Sequence, residues 1–479
     1  MAVSGRLRSK DLAQQIRAAI LEGRLRRGSR LPSSRALAES LGVSRTLVSA
    51  VYEELVGEGY LEARRGSGTY VAADLPDLRP SAGQTSRPPA WTPRWQGEPP
   101  SRPSSRDVDF TLDRQVVEAV SARSWARMWR FLARQKPPVD LGPPEGDPEL
   151  REAIADYLRR ARGLRCGPED VVVTSGAVRA LELVARALVP LGEAVAVEEP
   201  GYPAARRVLQ DRGARLVPVP VDEDGLRVDR LRAAGGVRLA YVTPSHQYPL
   251  GVRMSVSRRI ALLEWAAWRD AVVVEDDYDS ELRFDGPPLP ALAGLDGSGR
   301  VVYVGTFSKV LAPGLRVGYA VAPRWLRERL VQLREASGDR APWPVQRALA
   351  AFLASGDFDR HVRRVRRRYA ERRAALREVL GSLDGLARLR GMEAGLHAFL
   401  ELAPGLDEGE LAKCARERGV WVSVLRPYYL GLPDRSGWLL AYGGLPADTV
   451  RHGASVLSEV LREAARGSRP VAAAARALR

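Results

Sequence analysis

Between residues 171 and 305, six short apolar and β-branched runs alternate with stretches of helical periodicity. The runs lie at residues 171–174, 194–197, 216–221, 239–243, 271–275 and 301–305, and the helical stretches at 177–189, 203–212 and 258–269. Strands that read as continuous apolar runs are buried on both faces, so this alternation predicts an α/β domain with a mainly parallel sheet covered on both sides. Such sheets bind ligands beyond the carboxyl ends of their strands, and the residues after each run therefore carry the most information.

Thr174-Ser175-Gly176-Ala177 follows the first run at a helix start, where free N–H groups and the helix dipole suit a phosphate. Glu198-Glu199-Pro200-Gly201-Tyr202 follows the second and puts an aromatic ring at the site edge. The fourth gives Thr243-Pro244-Ser245-His246-Gln247-Tyr248-Pro249, the fifth Glu275-Asp276-Asp277-Tyr278, and the sixth Ser308-Lys309 and then Arg316. Each is bland alone, since an acidic run after a strand usually caps or faces solvent. Together they offer an amine for Schiff-base chemistry, a carboxylate to keep a pyridine nitrogen protonated, a phenol for a ring hydroxyl and a Ser/Arg clamp for phosphate. Those are the needs of pyridoxal 5′-phosphate. Composition sharpens the choice of amine: only four of the 74 basic residues are lysines (10, 136, 309 and 413), and Lys309 alone sits beside such a set.

The N-terminal 72 residues read differently. Leu12, Ile16 and Ile20 share one face of a helix from about Lys10 to Leu21. A second helix, capped by Ser33 or Ser34, carries Arg35, Leu37 and Leu41 and stops at Gly42. A third is capped by Ser44 and has Val48, Val51, Tyr52 and Leu55 on one face, with Arg45 and Thr46 in its first turn. A hairpin follows, with Arg64 and Arg65 beside the tip Gly66-Ser67-Gly68. This is a helix-turn-helix with a wing, suited to a DNA major groove. Ser34, Arg35, Ser44, Arg45, Thr46, Arg64, Arg65 and residues 66–68 are the expected DNA contacts. The chain carries a net +16, but residues 1–71 hold 12 basic and 7 acidic residues, so only +5 lies in this reader.

The sequence LPSSRALAESLGVSRTLVSAVYEELVGEGYLEARRGSGTYVA is similar to the winged helix-turn-helix domains of the GntR superfamily. TSGAVRAL, EEPGYP, TPSHQYPLG, EDDYDSELRF and VGTFSKVLAPGLRVGY resemble fold type I aminotransferases, and the whole, from about residue 8 to 465, resembles the MocR (GabR/PdxR-like) subfamily of GntR transcriptional regulators. The resemblance implies a multidomain chain: an N-terminal winged helix-turn-helix, then a fold type I α/β domain with a small C-terminal α+β subdomain at about 375–465. It also implies that Lys309 forms the Schiff base, Asp276 (Asp277 if the register is off by one) pairs with the pyridine nitrogen, and Tyr278 reaches the ring hydroxyl. Tyr202 would stack on the ring, and Ser175, Gly176, Ala177, Ser308 and Arg316 would surround the phosphate. His246 and Gln247 would lie near the hydroxyl, because the Asn usual before the proline is Tyr248.

Three departures bear on activity. Val178 stands where relatives often have Gln, and Phe110-Thr111-Leu112-Asp113-Arg114 replaces a Phe-x-x-Gly-x-Pro-Asp opening. In Trp438-Leu439-Leu440-Ala441-Tyr442-Gly443, a leucine stands where aminotransferases grip the substrate carboxylate with arginine, leaving Arg426 or Arg435 as substitutes. The expectation is a regulator whose operator binding responds to pyridoxal phosphate or a linked amine or amino-acid effector, without productive turnover. The alternatives are a working aminotransferase with a DNA-binding head and a DNA-binding protein whose large domain only dimerises. A homodimer on double-stranded DNA, a cytoplasmic location and no membrane segment complete the reading.

Residues 73–106, rich in Pro, Ser, Gly and Arg, read as a linker in which Trp91 and Trp95 are either a docking pair or loosely packed aromatics. Nine arginines between 360 and 377 read as a solvated helix face or a second DNA contact, and residues 466–479 as a disordered tail. Two cysteines and four scattered histidines (246, 361, 397, 452) give no disulfide framework and no metal-site pattern.

Overall fold

A computed structural model describes residues 9–75, 103–112, 120–284, 290–383 and 385–477, the side chains of 467–477 excepted. The chain divides into two compact units, Met1–Pro100 and Ser101–Arg479. Most of the expected linker, with Trp91 and Trp95, lies outside the described residues, as do Asp113 and Arg114.

The first unit comprises α1 (Ser9–Leu21), α2 (Ser34–Leu41), α3 (Arg45–Gly57) and the hairpin β1 (Leu61–Arg64) and β2 (Gly68–Val71). Ser33 rather than Ser34 caps α2, its Oγ accepting from the Ala36 N–H at 3.2 Å, and Gly42 ends that helix in the left-handed region at φ 63. The same geometry starts α3, where Ser44 Oγ accepts from the Leu47 N–H at 3.2 Å. Leu12, Ile16, Ile20, Val48, Val51, Tyr52, Leu55, Leu61 and Val71 form one core. Leu41 departs from the expected pattern: it is 42% exposed, and the short Ala38 takes the buried place on this eight-residue helix.

The second unit opens with β3 (Val108–Asp109), α4 (Ala122–Leu132) and α5 (Pro148–Arg162). It continues through β4 (Val171–Thr174), α6 (Ala177–Leu188), β5 (Ala194–Glu199), α7 (Pro203–Asp211), β6 (Arg215–Asp222), β7 (Gly225–Leu226) and α8 (Val228–Ala233). Next come β8 (Val237–Val242), α9 (Val256–Arg269), β9 (Val272–Asp277), α10 (Leu292–Leu295), β10 (Val301–Thr306), β11 (Gly318–Val321), α11 (Arg324–Ser337), α12 (Trp343–Ala354) and α13 (Asp357–Leu380). The C-terminal part holds β12 (Ala387–Arg390), β13 (His397–Leu402), α14 (Glu408–Glu417), β14 (Val420–Trp421), β15 (Ser423–Val424), β16 (Gly437–Ala441) and α15 (Ala447–Ala477).

Eight strands form the main sheet in the order β4-β11-β10-β9-β8-β5-β6-β7. The pairs from β10 through β9, β8 and β5 to β6 are parallel, as the six apolar runs predicted; β11 enters antiparallel between β4 and β10. Local chemistry sets the supporting helices. In α5, Asp147 caps the start, accepting from the Leu150 N–H at 3.1 Å, Pro148 fills the first turn, Gly163 ends it at φ 66, and Leu150, Ile154, Tyr157 and Leu158 bury one face.

The smaller sheet, β12-β13-β16-β15, packs under α13, α14 and α15. Segment 108–112 belongs with it: β3 pairs with β14, Phe110 accepts from the Ala441 N–H, and both Val108 and Phe110 sit in its core. Helix α15 runs from Ala447 to Ala477, into the segment expected as a tail; alanine and arginine rank among the strongest helix formers. Among the described residues no helix is long and apolar enough to cross a membrane.

Candidate cofactor pocket and DNA reader

At the carboxyl ends of β4, β8, β9 and β10 lies a pocket of about 280 Å³. Ala177, Val178, Tyr202, Tyr241, Asp276, Tyr278, Ser308, Lys309 and Arg316 line it, with Leu112 and Tyr248. One end is built for an anion. Gly176 caps α6 without a side-chain hydrogen bond, leaving the amides of the first turn to face the pocket. A Cβ on Gly176, whose φ is +116, would come within 3.1 Å of the Arg316 guanidinium. Gly318 lets β11 pass beneath this turn, where a Cβ would fall 2.6 Å from the Gly176 carbonyl carbon. Arg316 itself holds φ 51, a left-handed conformation that costs a non-glycine residue on the order of 1 kcal/mol. The Ser308 hydroxyl completes this end as a buried polar atom with no partner among the described residues.

The opposite chemistry comes from β9, whose alternating side chains face opposite sides of the sheet. Asp276 looks into the pocket: its Oδ2 accepts from Tyr241 at 2.5 Å, and its Oδ1 is buried with no partner among the described residues. Burial pushes this carboxyl up to about 6 against the hydrogen bond from Tyr241. Asp277 faces away, pairing with Arg162 at 2.5 Å and accepting from Tyr303 at 2.7 Å, and does not line the pocket. Lys309 is partly buried, and burial holds its ammonium below the usual lysine value, with Arg316 adding to that while Asp279 and Asp276 oppose it. A lysine so placed deprotonates more readily and is a better nucleophile.

His246 and Gln247, expected beside the ring hydroxyl, do not line the pocket, and His246 Nδ1 lies 3.1 Å from the Tyr278 hydroxyl. His246 Nδ1 meets Asp279 at 2.8 Å and its backbone carbonyl accepts from the Tyr278 hydroxyl at 2.9 Å. Gln247 donates to Glu198 and to the Pro200 carbonyl. Both side chains are consumed in fixing the loop after β8, from which Thr243 and Tyr248 line the pocket, Tyr248 edge-on to Tyr202 at 5.0 Å. Ser175 does not line it. The scattered histidines are also partly reunited: His246, Asp279 and His397 form one buried cluster. It is close-packed, because Gly395, at φ +85, passes so near that a Cβ would lie 2.2 Å from the His246 ring.

Tyr241 and Glu198 were missed in the sequence. Glu198, pushed up to about 7 by burial, accepts from the Thr243 N–H and hydroxyl and from Gln247, tying the loops after β5 and β8 together. Its doublet Glu198-Glu199 was the available signal. On the substrate side, Leu439 packs with Leu112, Phe399 and Tyr428. Arg426 is exposed, and Arg435 faces Glu223 at 3.5 Å, so among the described residues Arg316 is the one arginine in the pocket.

In the first unit, Arg35, Ser44, Arg45, Thr46, Arg64, Arg65 and Gly66 to Gly68 are all exposed, and Ser34 is half-buried. They lie at the N-terminal ends of α2 and α3 and on the hairpin tip. Arg64 stacks over Tyr70 at 4.6 Å, and the Tyr70 hydroxyl meets Ser67 Oγ at 2.7 Å, stiffening the tip.

Residues 8–71 match the bacterial regulatory proteins of the gntR family, and residues 117–457 match the aminotransferase class I and II family. The probable rhizopine catabolism regulatory protein MocR of Rhizobium meliloti is 39% identical, over 94% of this chain and 92% of the relative. The chain belongs to the MocR subfamily of GntR regulators. A second member, the pyridoxine biosynthesis transcriptional regulator PdxR of Corynebacterium glutamicum, is 38% identical over 94% of each chain. Among solved structures, a kynurenine aminotransferase of Pyrococcus horikoshii superposes with a TM-score of 0.70 at 26% identity, covering 75% of this regulator and 92% of that enzyme. The regulator therefore joins a GntR winged helix to a fold type I aminotransferase domain.

Proposed function

We propose that this transcriptional regulator binds pyridoxal 5′-phosphate in the Lys309 pocket and that the state of this pocket sets its affinity for an operator. The observation that carries the reading is the pair of buried polar atoms in one pocket, Asp276 Oδ1 and Ser308 Oγ, that have no partner among the described residues. Buried polar groups are nearly always hydrogen-bonded, and these two match a protonated pyridine nitrogen and a phosphate. When bound, the cofactor supplies an aldehyde that condenses with amines and a ring that withdraws electrons. Lys309 offers the amine. Asp276 holds a proton at the ring nitrogen, Tyr278 faces the ring hydroxyl, Tyr202 covers one side, and Arg316, Ser308 and the first turn of α6 hold the phosphate.

The two relatives bear names that point to different pathways, so similarity does not choose the effector. The apolar wall of Leu112, Val178 and Tyr248 favours sensing the cofactor, alone or with an amine, over turnover of amino acids, whose carboxylate asks for a bidentate arginine. The reader arginines act as pairs in a cytoplasmic homodimer, one head per half-site of double-stranded DNA.

Absorbance spectroscopy tests the cofactor reading: the protein should show a visible band with pyridoxal phosphate that Lys309→Ala abolishes. A band unchanged in that variant would sink it. Sustained turnover of an amino-acid panel would move the assignment to a working aminotransferase, and operator affinity indifferent to Lys309→Ala would leave the large domain a dimerisation body.

A further inference from the structure

Most of the arginines on α13 have identifiable work. Arg360 pairs with Asp357 at 2.9 Å, Arg372 donates to the Gly443 carbonyl, and Arg373 lies over the Phe284 ring at 5.4 Å. Arg363 differs: it is exposed and has no ion-pair partner among the described residues. It opens onto a cavity of about 340 Å³ between α5 and α13, which Arg160 and Arg366 also line. That volume falls at the lower end of small-molecule sites, roughly 300–1,000 Å³. Arg366 spends its Nε on the Glu281 carbonyl, and Arg160 reaches Asp359 at a loose 3.5 Å. Arg162, on the inner wall, is already neutralised by Asp277.

Three guanidiniums thus face one recess against one exposed carboxylate, Asp359. The remaining acid, Glu281, accepts from the Tyr157 hydroxyl at 2.7 Å, and burial pushes it up to about 7. Between one and two positive charges stay uncompensated at neutral pH in a space partly withdrawn from water, where like charges repel most strongly. A doubly charged anion relieves that repulsion, and guanidinium forks match phosphate oxygens.

We propose that this cavity is a second ligand site, separate from the Lys309 pocket, that takes a small phosphate monoester between Arg160, Arg363 and Arg366. A duplex phosphate offers the same group, but sugars flank it on both sides; a recess suits a terminal phosphate. The floor residue Glu281 follows Tyr278 by three positions and Arg162 holds Asp277, so an occupant presses on the segment that presents Asp276 and Tyr278.

Calorimetric titration of the full-length protein with glycerol 3-phosphate at low salt tests the site. Arg363→Glu should weaken binding by about tenfold or more, equivalent to about 1.4 kcal/mol. Arg367→Glu removes the same charge from an exposed position on the same helix that does not line the cavity, and it should leave binding within about twofold. The proposal is overturned by equal losses in both variants, by absence of saturable binding, or by loss in Arg316→Ala, which would put the ester in the Lys309 pocket. It is overturned equally if Arg363→Glu spares ester binding and lowers operator affinity. Because Arg316→Ala reports on one pocket and Arg363→Glu on the other, failure of either reading is visible without the other.

Discussion

Asp276 combines a functional advantage with a folding cost. Its carboxyl, wholly buried, ionises at about 6 in the folded chain instead of 3.8, so the folded state binds the proton more tightly than the unfolded one. Stability contributed at this residue is therefore full below pH 3.8 and falls as pH rises towards 6; the total is roughly 3 kcal/mol. Asp276→Asn should make the cofactor-free protein more resistant to urea at pH 8 and leave it near wild type at pH 4. The same variant should bind pyridoxal phosphate at least about tenfold more weakly, since the proton on the ring nitrogen loses its anionic partner. Equilibrium denaturation at the two pH values, with a cofactor titration, checks both halves. Residues with a chemical demand could be singled out in the sequence: Lys309, Asp276 and Arg316 each stand at or beyond the end of an apolar run, and all three line one pocket. Tyr241 could not, because it sits inside an apolar strand and meets Asp276 only when β8 and β9 pair. The partners of His246 and Gln247, Asp279 and Glu198, were not legible for the converse reason: they lie on other strand ends.

Elements whose signals are local were readable, and those defined by distant pairing were not. The cap Ser44, the left-handed stop at Gly42 and the apolar face of α3 all lie between residues 42 and 55, so the helix-turn-helix could be drawn from the sequence. Ser44→Ala should lower the stability of the first unit by about 1 kcal/mol, readable as a lower denaturation midpoint, because the Leu47 amide loses its acceptor. By contrast, β11 joins the sheet antiparallel between two strands that are distant in sequence, and β3 finds β14 across some three hundred residues. Nothing in their short apolar stretches names those partners. Gly318 shows what the first pairing demands: Gly318→Ala should push the first turn of α6 away from Arg316 and weaken cofactor binding several-fold, measured by the same spectral titration.

For the molecule as a whole, the excess of +16 is a poor guide to DNA affinity. If Arg35, Arg45, Arg64 and Arg65 of two readers meet phosphates, about eight counterions are released, and log K against log salt should fall with a slope of roughly −7. Arg45→Ala should make that slope shallower, whereas Arg367→Glu on α13 should leave it unchanged; a slope that responds to α13 would place DNA on the large domain. The route by which the chain enters its second unit has a mechanical consequence. Val108 and Phe110 are stitched to Gly419, Trp421 and Ala441 and share the core of the C-terminal sheet. Tension transmitted along the polypeptide from a DNA-bound head is therefore delivered first to the C-terminal subdomain and, two residues past Phe110, to Leu112 in the wall of the Lys309 pocket.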